Sequence, residues 1–336
     1  MLAVIGAGAM GTAMAVQLHR AGQDLVILAT DHDAPFVEAH RAGALHPAIG
    51  TAFPPVELRE HGDWADTLGK ARVVVLAVST AGVEDTVRNA VEVALPDAVW
   101  AVATKGWEEA TLRSAGRLVA DALGDPKRVV VVVGPSLASE IANGVPTAVV
   151  CASEDHLSNR MVAKLFASPL FRTYVTDDVV GVEVGAALKN VIAIAVGMAD
   201  GLADSFGVDA MTNTTAFLFS RGLVEIARLA RAMRGRIETV LGLAGAGDLF
   251  VTCLGGRNAR FGRMVGGGMS PEEAIAEMKT TVEGYHNARS AAALASKYRL
   301  DLPIVRSVAR VLEGEATPRE GIEAILAGTI EEEFNP

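Results

Sequence analysis

A single lysine lies within an otherwise apolar stretch of the chain. Residues 181–198, GVEVGAALKNVIAIAVGM, are small or apolar at every position except Glu183, Lys189 and Asn190. This composition predicts a helix that is buried on most of its sides. An unpaired buried ammonium group costs several kcal/mol and lowers the pKa of its lysine. Lys189 therefore either forms a structural ion pair, with Glu183 or Glu140, or lines a cavity in which a reaction occurs.

Three glycines near the start of the chain have the spacing of a dinucleotide-binding turn. Gly6, Gly8 and Gly11 follow the apolar run Leu2–Ile5 and open a helical segment. In such a turn the first glycine permits the tight bend, the second lets the backbone approach a pyrophosphate, and the third lets the helix pack on the strand. A second strand follows at residues 24–28. This context predicts that the chain binds NAD or NADP.

The residues after that second strand bear on the choice of cofactor. An acidic side chain there bonds the ribose 2′-hydroxyl of NAD, whereas a basic one accepts the 2′-phosphate of NADP. The chain has Thr30, Asp31, His32 and Asp33 at this place, with no arginine or lysine close in sequence. The segment therefore favours NAD, with Asp31 reading the ribose. Thr30 and His32 could also contact a 2′-phosphate, so NADP remains an alternative.

Further apolar runs alternate with helical segments through the first half, at residues 72–78, 98–103, 129–133 and 147–151. The fold class predicted is α/β, a Rossmann-type doubly wound parallel sheet covered on both faces. Ligands of such sheets bind beyond the carboxyl ends of the strands, which brings Ser79, Lys105, Gly134 and Ser136 to the edge that holds the glycines. Residues 41–61 lack a pattern and are predicted to loop over the sheet.

The second half of the chain is predicted to be all helical. The strand pattern ends near Asp177, which divides the chain into a dinucleotide-binding domain, 1–177, and a helical substrate domain, 178–336. After the lysine segment, helices are predicted at residues 216–233, 271–279, 282–298, 304–312 and 318–326. A glycine-rich stretch between them carries Asp248, Thr252, Arg257 and Asn258. Asp248 suits a helix N-cap, and Arg257, after two glycines, suits either a solvated loop or the bidentate binding of a phosphate.

Composition excludes several classes of protein. The chain has 336 residues, a net charge of −10 and no basic tract, which argues against a nucleic-acid partner. No apolar run free of charge and glycine is long enough to span a membrane, and the first residues do not read as a signal peptide. Two cysteines, Cys151 and Cys253, fit free thiols in the cytoplasm. The scattered histidines offer no metal site.

Several long motifs carry a family likeness. They are GAGAMG (6–11), TKG (104–106), GPSLASE (134–140), EVGAALKNVIAIAVGMADGL (183–202), SRGL (220–223), GLAGAGDL with TCLGGRN (242–258) and VEGYHNA (282–288). Through them the chain resembles the NAD(P)-dependent glycerol-3-phosphate dehydrogenases over nearly its whole length. The resemblance implies a Rossmann domain followed by a helical domain, a homodimer, a phosphorylated substrate held between the domains, and no metal.

The resemblance also implies roles for individual residues. Lys189 is the general acid/base, oriented by Asp248, with Asn190 and Thr252 holding the geometry. Arg257 and Lys105 bind the substrate phosphate, and the other substrate positions are Gly134, Ser136, Gly256 and Asn258. Cofactor contacts fall to the glycines and to Ala9, Met10, Lys105, Ala138, Arg257, Val282 and Glu283. The product is sn-glycerol 3-phosphate, the backbone of glycerophospholipids.

The chain departs from the family pattern in places. Met10 replaces an aromatic residue, Gly256 a serine, and Thr215 a basic residue, and the segment 203–212 is longer than usual. A changed loop beside the site would alter which polyol or ketose phosphate fits, which is one alternative function. A dehydrogenase of the same build acting on a carboxylate is a second. A non-catalytic dinucleotide sensor is a third, disfavoured because Lys189 and Asp248 are both present.

Overall fold

One sheet of eight strands dominates the first half of the chain in a computed structural model, which describes residues 1–60, 62, 64–278 and 280–327. The strands are β1 (Leu2–Ile5), β2 (Leu25–Leu28), β3 (Glu57–Arg59), β4 (Val73–Leu76), β5 (Val99–Val102), β6 (Val129–Val133), β7 (Thr147–Ala152) and β8 (Phe171–Thr176). Their order across the sheet is β3-β2-β1-β4-β5-β6-β7-β8. The predicted Rossmann-type arrangement is confirmed.

Helices cover both faces of this sheet, which explains why its central strands are apolar at every position. The helices of the first half are α1 (Ala9–Arg20), α2 (Ala34–Arg41), α3 (Trp64–Leu68), α4 (Val83–Val91), α5 (Ala115–Leu123), α6 (Ala138–Asn143) and α7 (His156–Phe166). Alternate residues of β1 enter two different cores: Val4 packs with α1 and α7, and Ile5 with α3, α4 and α5.

The last two strands run against the other six. β6 and β7 pair antiparallel, with Val132 opposite Cys151, whereas every other pair in the sheet is parallel. An antiparallel strand begins at the end where its neighbour stops, so the chain does not have to cross back to the other end of the strands. The connection between β6 and β7, which contains α6, therefore stays at the carboxyl end of β6. This places Gly134 and Ser136 at the predicted ligand edge.

The sequence pattern missed the edge strand β3. Residues 41–61 were predicted to be a loop, but residues 57–59 pair with β2, and His61 lies outside the described residues. β3 has only three residues, of which Glu57 is exposed and Arg59 is half-buried. Short, charged edge strands lack the apolar alternation on which strand prediction depends, because one side of the strand faces water.

The second half is helical, as predicted. Its helices are α8 (Val179–Gly201), α9 (Thr212–Ala232), α10 (Ile237–Leu241), α11 (Asp248–Cys253), α12 (Arg257–Gly266), α13 (Pro271–Met278), α14 (Glu283–Tyr298), α15 (Pro303–Leu312) and α16 (Pro318–Leu326). The predicted helix 271–279 ends at Met278, and Lys279 lies outside the described residues. A turn of π-helix, Leu243–Gly247, leads into α11.

Helix α8 is the centre of the helical half. Within the described residues it has the length and hydropathy of a membrane span, but 83% of its most apolar window is buried inside the fold. The side chain of Asp178 caps the first turn of α8 by accepting a hydrogen bond from the Gly181 amide at 2.9 Å. Helices α9, α11, α12 and α14 then surround it. Its apolar composition therefore serves packing within the protein.

Helices α8 and α12 approach so closely that their backbones touch. A Cβ atom on Gly197 would lie 2.1 Å from the Ala259 carbonyl oxygen, and one on Gly262 would lie 2.2 Å from that of Ile194. The glycines recur every four residues on each helix, at Gly197 and Gly201 and at Gly262 and Gly266. This contact positions Asn258, in the first turn of α12, against the lysine helix.

We expect Gly262→Ala to lower the free energy of unfolding by about 1–3 kcal/mol, because the added methyl group must separate two packed backbones. Urea denaturation measures the change. The matched control is Gly247→Ala, which should change stability by less than about 0.5 kcal/mol, because a Cβ atom there would make ordinary contacts with Pro135 at 3.5 Å and with the Gly242 carbonyl oxygen at 3.8 Å. Equal effects of the two substitutions would show that close helix packing does not require Gly262.

Candidate active site

A buried carboxylate holds two lysines from different parts of the chain. Asp248 accepts a hydrogen bond from Lys105 Nζ at 2.7 Å through one oxygen and from Lys189 Nζ through the other. Lys189 is 5% exposed and Asp248 is 1% exposed, so this ion pair is shielded from water. The partner of Lys189 is thus neither Glu183 nor Glu140. Glu183 instead accepts hydrogen bonds from Ser114 Oγ at 2.6 Å and the Gly116 amide at 2.8 Å.

Helix α11 supplies two groups to the lysine. Asp248 and Thr252 are four residues apart and therefore lie on the same face of that helix. The Thr252 hydroxyl accepts a hydrogen bond from Lys189 Nζ at 3.1 Å and donates its own proton to the Asp248 carbonyl oxygen at 2.6 Å. Asp248 does not cap a helix through its side chain, because Gly247 occupies the N-cap position of α11. The ammonium group of Lys189 is therefore fixed in direction.

Lys105 reaches the site from the loop after β5. The Thr80 hydroxyl donates a hydrogen bond to the Lys105 carbonyl oxygen at 3.1 Å. Asn287, which is 1% exposed, accepts one from the Trp107 amide at 3.4 Å and donates one to the Ala187 carbonyl oxygen of α8 at 3.3 Å. This asparagine thereby joins the Lys105 loop to the lysine helix. Sequence reasoning missed it, although it lies within the motif VEGYHNA.

A second polar cluster lies one residue along α8. Asn258 Nδ2 donates a hydrogen bond to Asn190 Oδ1 at 2.9 Å, and Asn190 Nδ2 donates one to Glu283 Oε2 at 3.2 Å. Asn258 Oδ1 accepts a third from the Gly284 amide at 2.9 Å. These contacts attach the first turns of α12 and α14 to α8. Arg257 is exposed at the start of α12, and among the described residues none forms a hydrogen bond or ion pair with its guanidinium group.

The loop after β6 borders the same region. Pro135 lies 3.5 Å from the place of a Cβ atom on Gly247, the residue before Asp248. Ser136 is buried, and its hydroxyl donates to the Gly134 carbonyl oxygen at 2.8 Å. The structure thus brings this predicted substrate loop beside the carboxylate that holds both lysines, and Ala138 begins α6 immediately after it.

The glycine turn has the shape of a dinucleotide cradle. A Cβ atom on Gly11 would lie 1.9 Å from the Gly6 carbonyl oxygen, so α1 packs on the turn only because that side chain is missing. A Cβ atom on Gly8 would lie 3.7 Å from the nearest described atom, in Phe36, which leaves the Gly8 backbone open to a ligand. Ala9 and Met10 form the start of α1 and are half-buried. These residues fit a bound pyrophosphate at a helix N-terminus.

The acidic residue that reaches this turn is Asp33 rather than Asp31. Asp31 is exposed, whereas Asp33 is 6% exposed and accepts a hydrogen bond from the Ala7 amide at 3.0 Å. Thr30 donates to the same oxygen of Asp33 through its amide and its hydroxyl, both at 2.8 Å. His46, entirely buried, bonds the Ala7 carbonyl oxygen through Nε2 at 2.9 Å. The Thr12 hydroxyl donates to the same carbonyl oxygen at 3.0 Å, so three side chains hold the residue between the first two glycines.

The environment of Lys189 suits proton transfer. Burial is the largest influence and lowers the pKa of Lys189 to about 8; Asp248 opposes this shift and the Lys105 ammonium group adds to it. A lysine with a pKa near neutral exchanges its proton readily at physiological pH. The neighbouring Cys253 is different, because burial raises the pKa of its thiol to about 12 and keeps it protonated.

The lengthened segment 203–212 does not lie beside this site. Phe206 stacks under the Arg319 guanidinium of α16 at 4.3 Å, and Arg319 also donates to Ser205 Oγ at 2.9 Å. Thr215 Oγ1 lies 3.5 Å from Oδ1 of Asp200, which is eleven residues beyond Lys189 on α8. That separation is roughly 16 Å along a helix. The expectation of an altered loop next to the lysine is therefore wrong.

Comparisons with known proteins agree with this arrangement. The family model for the NAD-dependent glycerol-3-phosphate dehydrogenase N-terminus matches residues 1–158, and that for its C-terminus matches residues 178–323. A glycerol-3-phosphate dehydrogenase [NAD(P)+] of Stenotrophomonas maltophilia (strain K279a) is 38% identical over 97% of this chain and 94% of its own length. One from Xanthomonas campestris pv. campestris (strain B100) is 37% identical over the same shares.

Solved structures give the same result. The crystal structure of glycerol-3-phosphate dehydrogenase from Coxiella burnetii is 32% identical, with a TM-score of 0.87 over 97% of this chain and 98% of that one. A 2-dehydropantoate 2-reductase from Geobacter metallireducens, 16% identical with a TM-score of 0.58, shares the fold alone. The two family models together match most of the chain, and so the protein belongs to the NAD-dependent glycerol-3-phosphate dehydrogenase family.

Proposed function

We propose that this protein catalyses reversible hydride transfer between NAD(P)H and dihydroxyacetone phosphate, giving sn-glycerol 3-phosphate. The observation that carries the proposal is the buried Lys189 ammonium group, which Asp248 and Thr252 hold at the edge of a dinucleotide-binding sheet. In a member of this dehydrogenase family, such a group is placed to protonate a carbonyl oxygen. A non-catalytic dinucleotide sensor would not need a pair of lysines held in this way.

Lys189 acts on the oxygen of the ketone. When bound, NAD(P)H supplies the hydride that adds to C2, and negative charge grows on the carbonyl oxygen. The Lys189 ammonium group stabilises this charge and transfers a proton to the oxygen, which yields the alcohol and a neutral lysine that solvent reprotonates. Asp248 favours the charged lysine and fixes its direction. The reverse reaction uses the neutral lysine as the base.

The substrate phosphate is assigned to the start of α12. Arg257 occupies the first position of that helix, where backbone amides face outward and the helix dipole favours an anion. Its guanidinium group suits bidentate binding of a phosphate. Lys105, predicted to share this task, donates to Asp248, so we assign it to the reacting end of the substrate. Binding the phosphate away from the carbonyl fixes the reacting geometry.

The remaining assignments follow the family likeness. We place Gly134, Ser136, Gly256 and Asn258 around the substrate, and Ala138, Val282 and Glu283 beside the cofactor. The domains are 1–177 and 178–336, which the two family models, ending at 158 and beginning at 178, support. We infer a cytoplasmic homodimer that supplies the glycerol phosphate of phospholipids. Sedimentation velocity of the purified protein tests the dimer.

Turnover assays test the reaction. Loss of reduced-nicotinamide absorbance is followed with dihydroxyacetone phosphate, with longer ketose phosphates and with 2-oxo acids, each with NADH and with NADPH. Fast turnover with dihydroxyacetone phosphate supports the proposal. Turnover only with a longer ketose phosphate, or only with a 2-oxo acid, assigns the chain to one of the alternative substrates. No turnover with any of them, while cofactor still binds, indicates a sensor.

The pH dependence of kcat should have opposite signs in the two directions. Reduction requires the ammonium form of Lys189 as the proton donor. Because the pKa of Lys189 is lowered to about 8, kcat for reduction should fall as pH rises through about 8. Oxidation of sn-glycerol 3-phosphate requires the neutral amine and should rise through the same pH. Lys105→Met removes a neighbouring positive charge and should move both midpoints to higher pH. Profiles with the same sign in both directions would exclude Lys189 as the titrating group.

A further inference from the structure

We propose that Asp33 reads the adenosine ribose of the cofactor and makes this protein select NADH over NADPH. The inference deepens the proposed function by naming which cofactor the glycine turn accepts, and it rests on that function only in taking a nicotinamide dinucleotide as the ligand. The residue is not the one that immediately follows β2, where such an acid is expected, but lies five residues beyond the end of that strand.

The two oxygens of Asp33 have different roles. Oδ2 accepts three hydrogen bonds, from the Ala7 amide and from the amide and hydroxyl of Thr30. Among the described residues none donates to Oδ1, which lies 4.0 Å from the place of a Cβ atom on Gly8. Gly8 is the glycine whose open backbone admits the dinucleotide. A carboxylate fixed by one oxygen, with the other free beside the cofactor turn, is arranged to accept a ribose hydroxyl.

The attachment of Asp33 makes its position rigid. Its side chain is 6% exposed and is tied to the glycine turn through Ala7, whose carbonyl oxygen is bonded in turn by His46. His46 Nδ1 accepts a hydrogen bond from the Ala48 amide at 3.1 Å, and the His46 ring stacks on Phe36 at 4.7 Å. The carboxylate therefore has little freedom to turn away from a phosphate. A 2′-phosphate at this place would meet a fixed negative charge.

In the described part of the chain, the arginine that stands beside the end of β2 already has acidic partners. Arg59 is the neighbouring residue across the sheet, paired with Leu28. Its guanidinium group already binds Glu57 at 2.7 Å and Asp66 at 3.0 Å, and it also donates to Thr67. Two carboxylates therefore already pair with the arginine that an NADP-binding site would use to bind the 2′-phosphate. Both observations favour a ribose with a free 2′-hydroxyl.

Equilibrium titration of the protein with each cofactor, without substrate, tests the proposal. We expect the wild-type Kd to be at least tenfold lower for NADH than for NADPH. Asp33→Asn keeps the size of the side chain and its hydrogen bond to Ala7 but removes the charge. It should weaken NADH binding roughly 10-fold or more, as expected for loss of a charged hydrogen bond, and should bring the two Kd values together. Glu38→Gln changes an exposed carboxylate on α2, the helix that Asp33 precedes; it is the matched control and should leave the ratio unchanged.

A modified cofactor tests the same contact in the wild-type protein, so the result does not depend on whether a variant folds. NADH lacking the adenosine 2′-hydroxyl should bind the wild-type protein roughly 10-fold more weakly, and Asp33→Asn should no longer distinguish it from NADH. Equal wild-type Kd values for NADH and NADPH would overturn the proposal, as would a larger effect from Asp31→Asn than from Asp33→Asn. Because these titrations contain no ketone, absence of dehydrogenase turnover would contradict the proposed reaction and leave this result standing.

Discussion

Lys189→Met should lower kcat for the reduction of dihydroxyacetone phosphate by about 10²–10⁴-fold, the usual contribution of a positioned general acid. Methionine preserves the volume of the buried side chain but carries no proton to donate. The Kd for NADH should change less than about threefold, because the lysine contacts Asp248 and Thr252 and not the glycine turn. Stopped-flow and steady-state kinetics with a cofactor titration separate the two quantities.

Two further variants sharpen this experiment. Lys164→Met, at an exposed position on α7, removes the same charge away from the site and should leave kcat unchanged. Lys189→Ala opens a buried space beside Asp248 that a small primary amine can fill, so added ethylamine should restore part of the lost rate. A kcat within about tenfold of wild type in Lys189→Met would reject acid catalysis by this residue.

Asp248→Asn should destabilise the protein by about 3–5 kcal/mol at neutral pH, as well as inactivate it, because it leaves the buried Lys189 ammonium group facing the partly buried one of Lys105. Lys105 and Lys189 both bond this carboxylate, and an amide cannot neutralise either of them. Urea denaturation at several pH values measures the effect. The loss of stability should be largest at neutral pH.

The sign of the pH effect follows from linkage. Without Asp248, which raises the pKa of Lys189, that pKa in the folded state falls further below the value of about 10.4 in the unfolded chain. Lys189 then disfavours folding below about pH 10, and this penalty vanishes once the lysine is deprotonated in both the folded and the unfolded state. The stability difference between wild type and Asp248→Asn should therefore shrink as pH rises toward about 10. Asp121→Asn, which breaks an ion pair with half-buried Arg113, should cost less than about 1 kcal/mol at any pH. A difference that does not change with pH would mean that the lysines are not the source of the instability.

The sequence determined the parts of this protein that depend on local chain chemistry. The glycine turn is readable because Gly6, Gly8 and Gly11 follow a strand and open a helix within a few residues. The buried helix that carries Lys189 is readable because apolar residues fill its whole circumference. Valine runs such as β6 predict a sheet that is covered on both faces, because apolar residues at every position of a strand indicate that both of its faces are buried.

Only the tertiary structure decided which distant groups meet. Lys105, Lys189 and Asp248 are far apart in sequence, and nothing near Lys189 predicts that its partner lies on α11 rather than at Glu183. Asp31 stands where a ribose-binding acid is expected, yet the turn into α2 directs Asp33 to Ala7 instead. The segment 203–212 was expected near the lysine, but the length of α8 carries it away. Contacts of this kind depend on the paths of whole helices, and the side chains that make them leave no periodic signal in the chain.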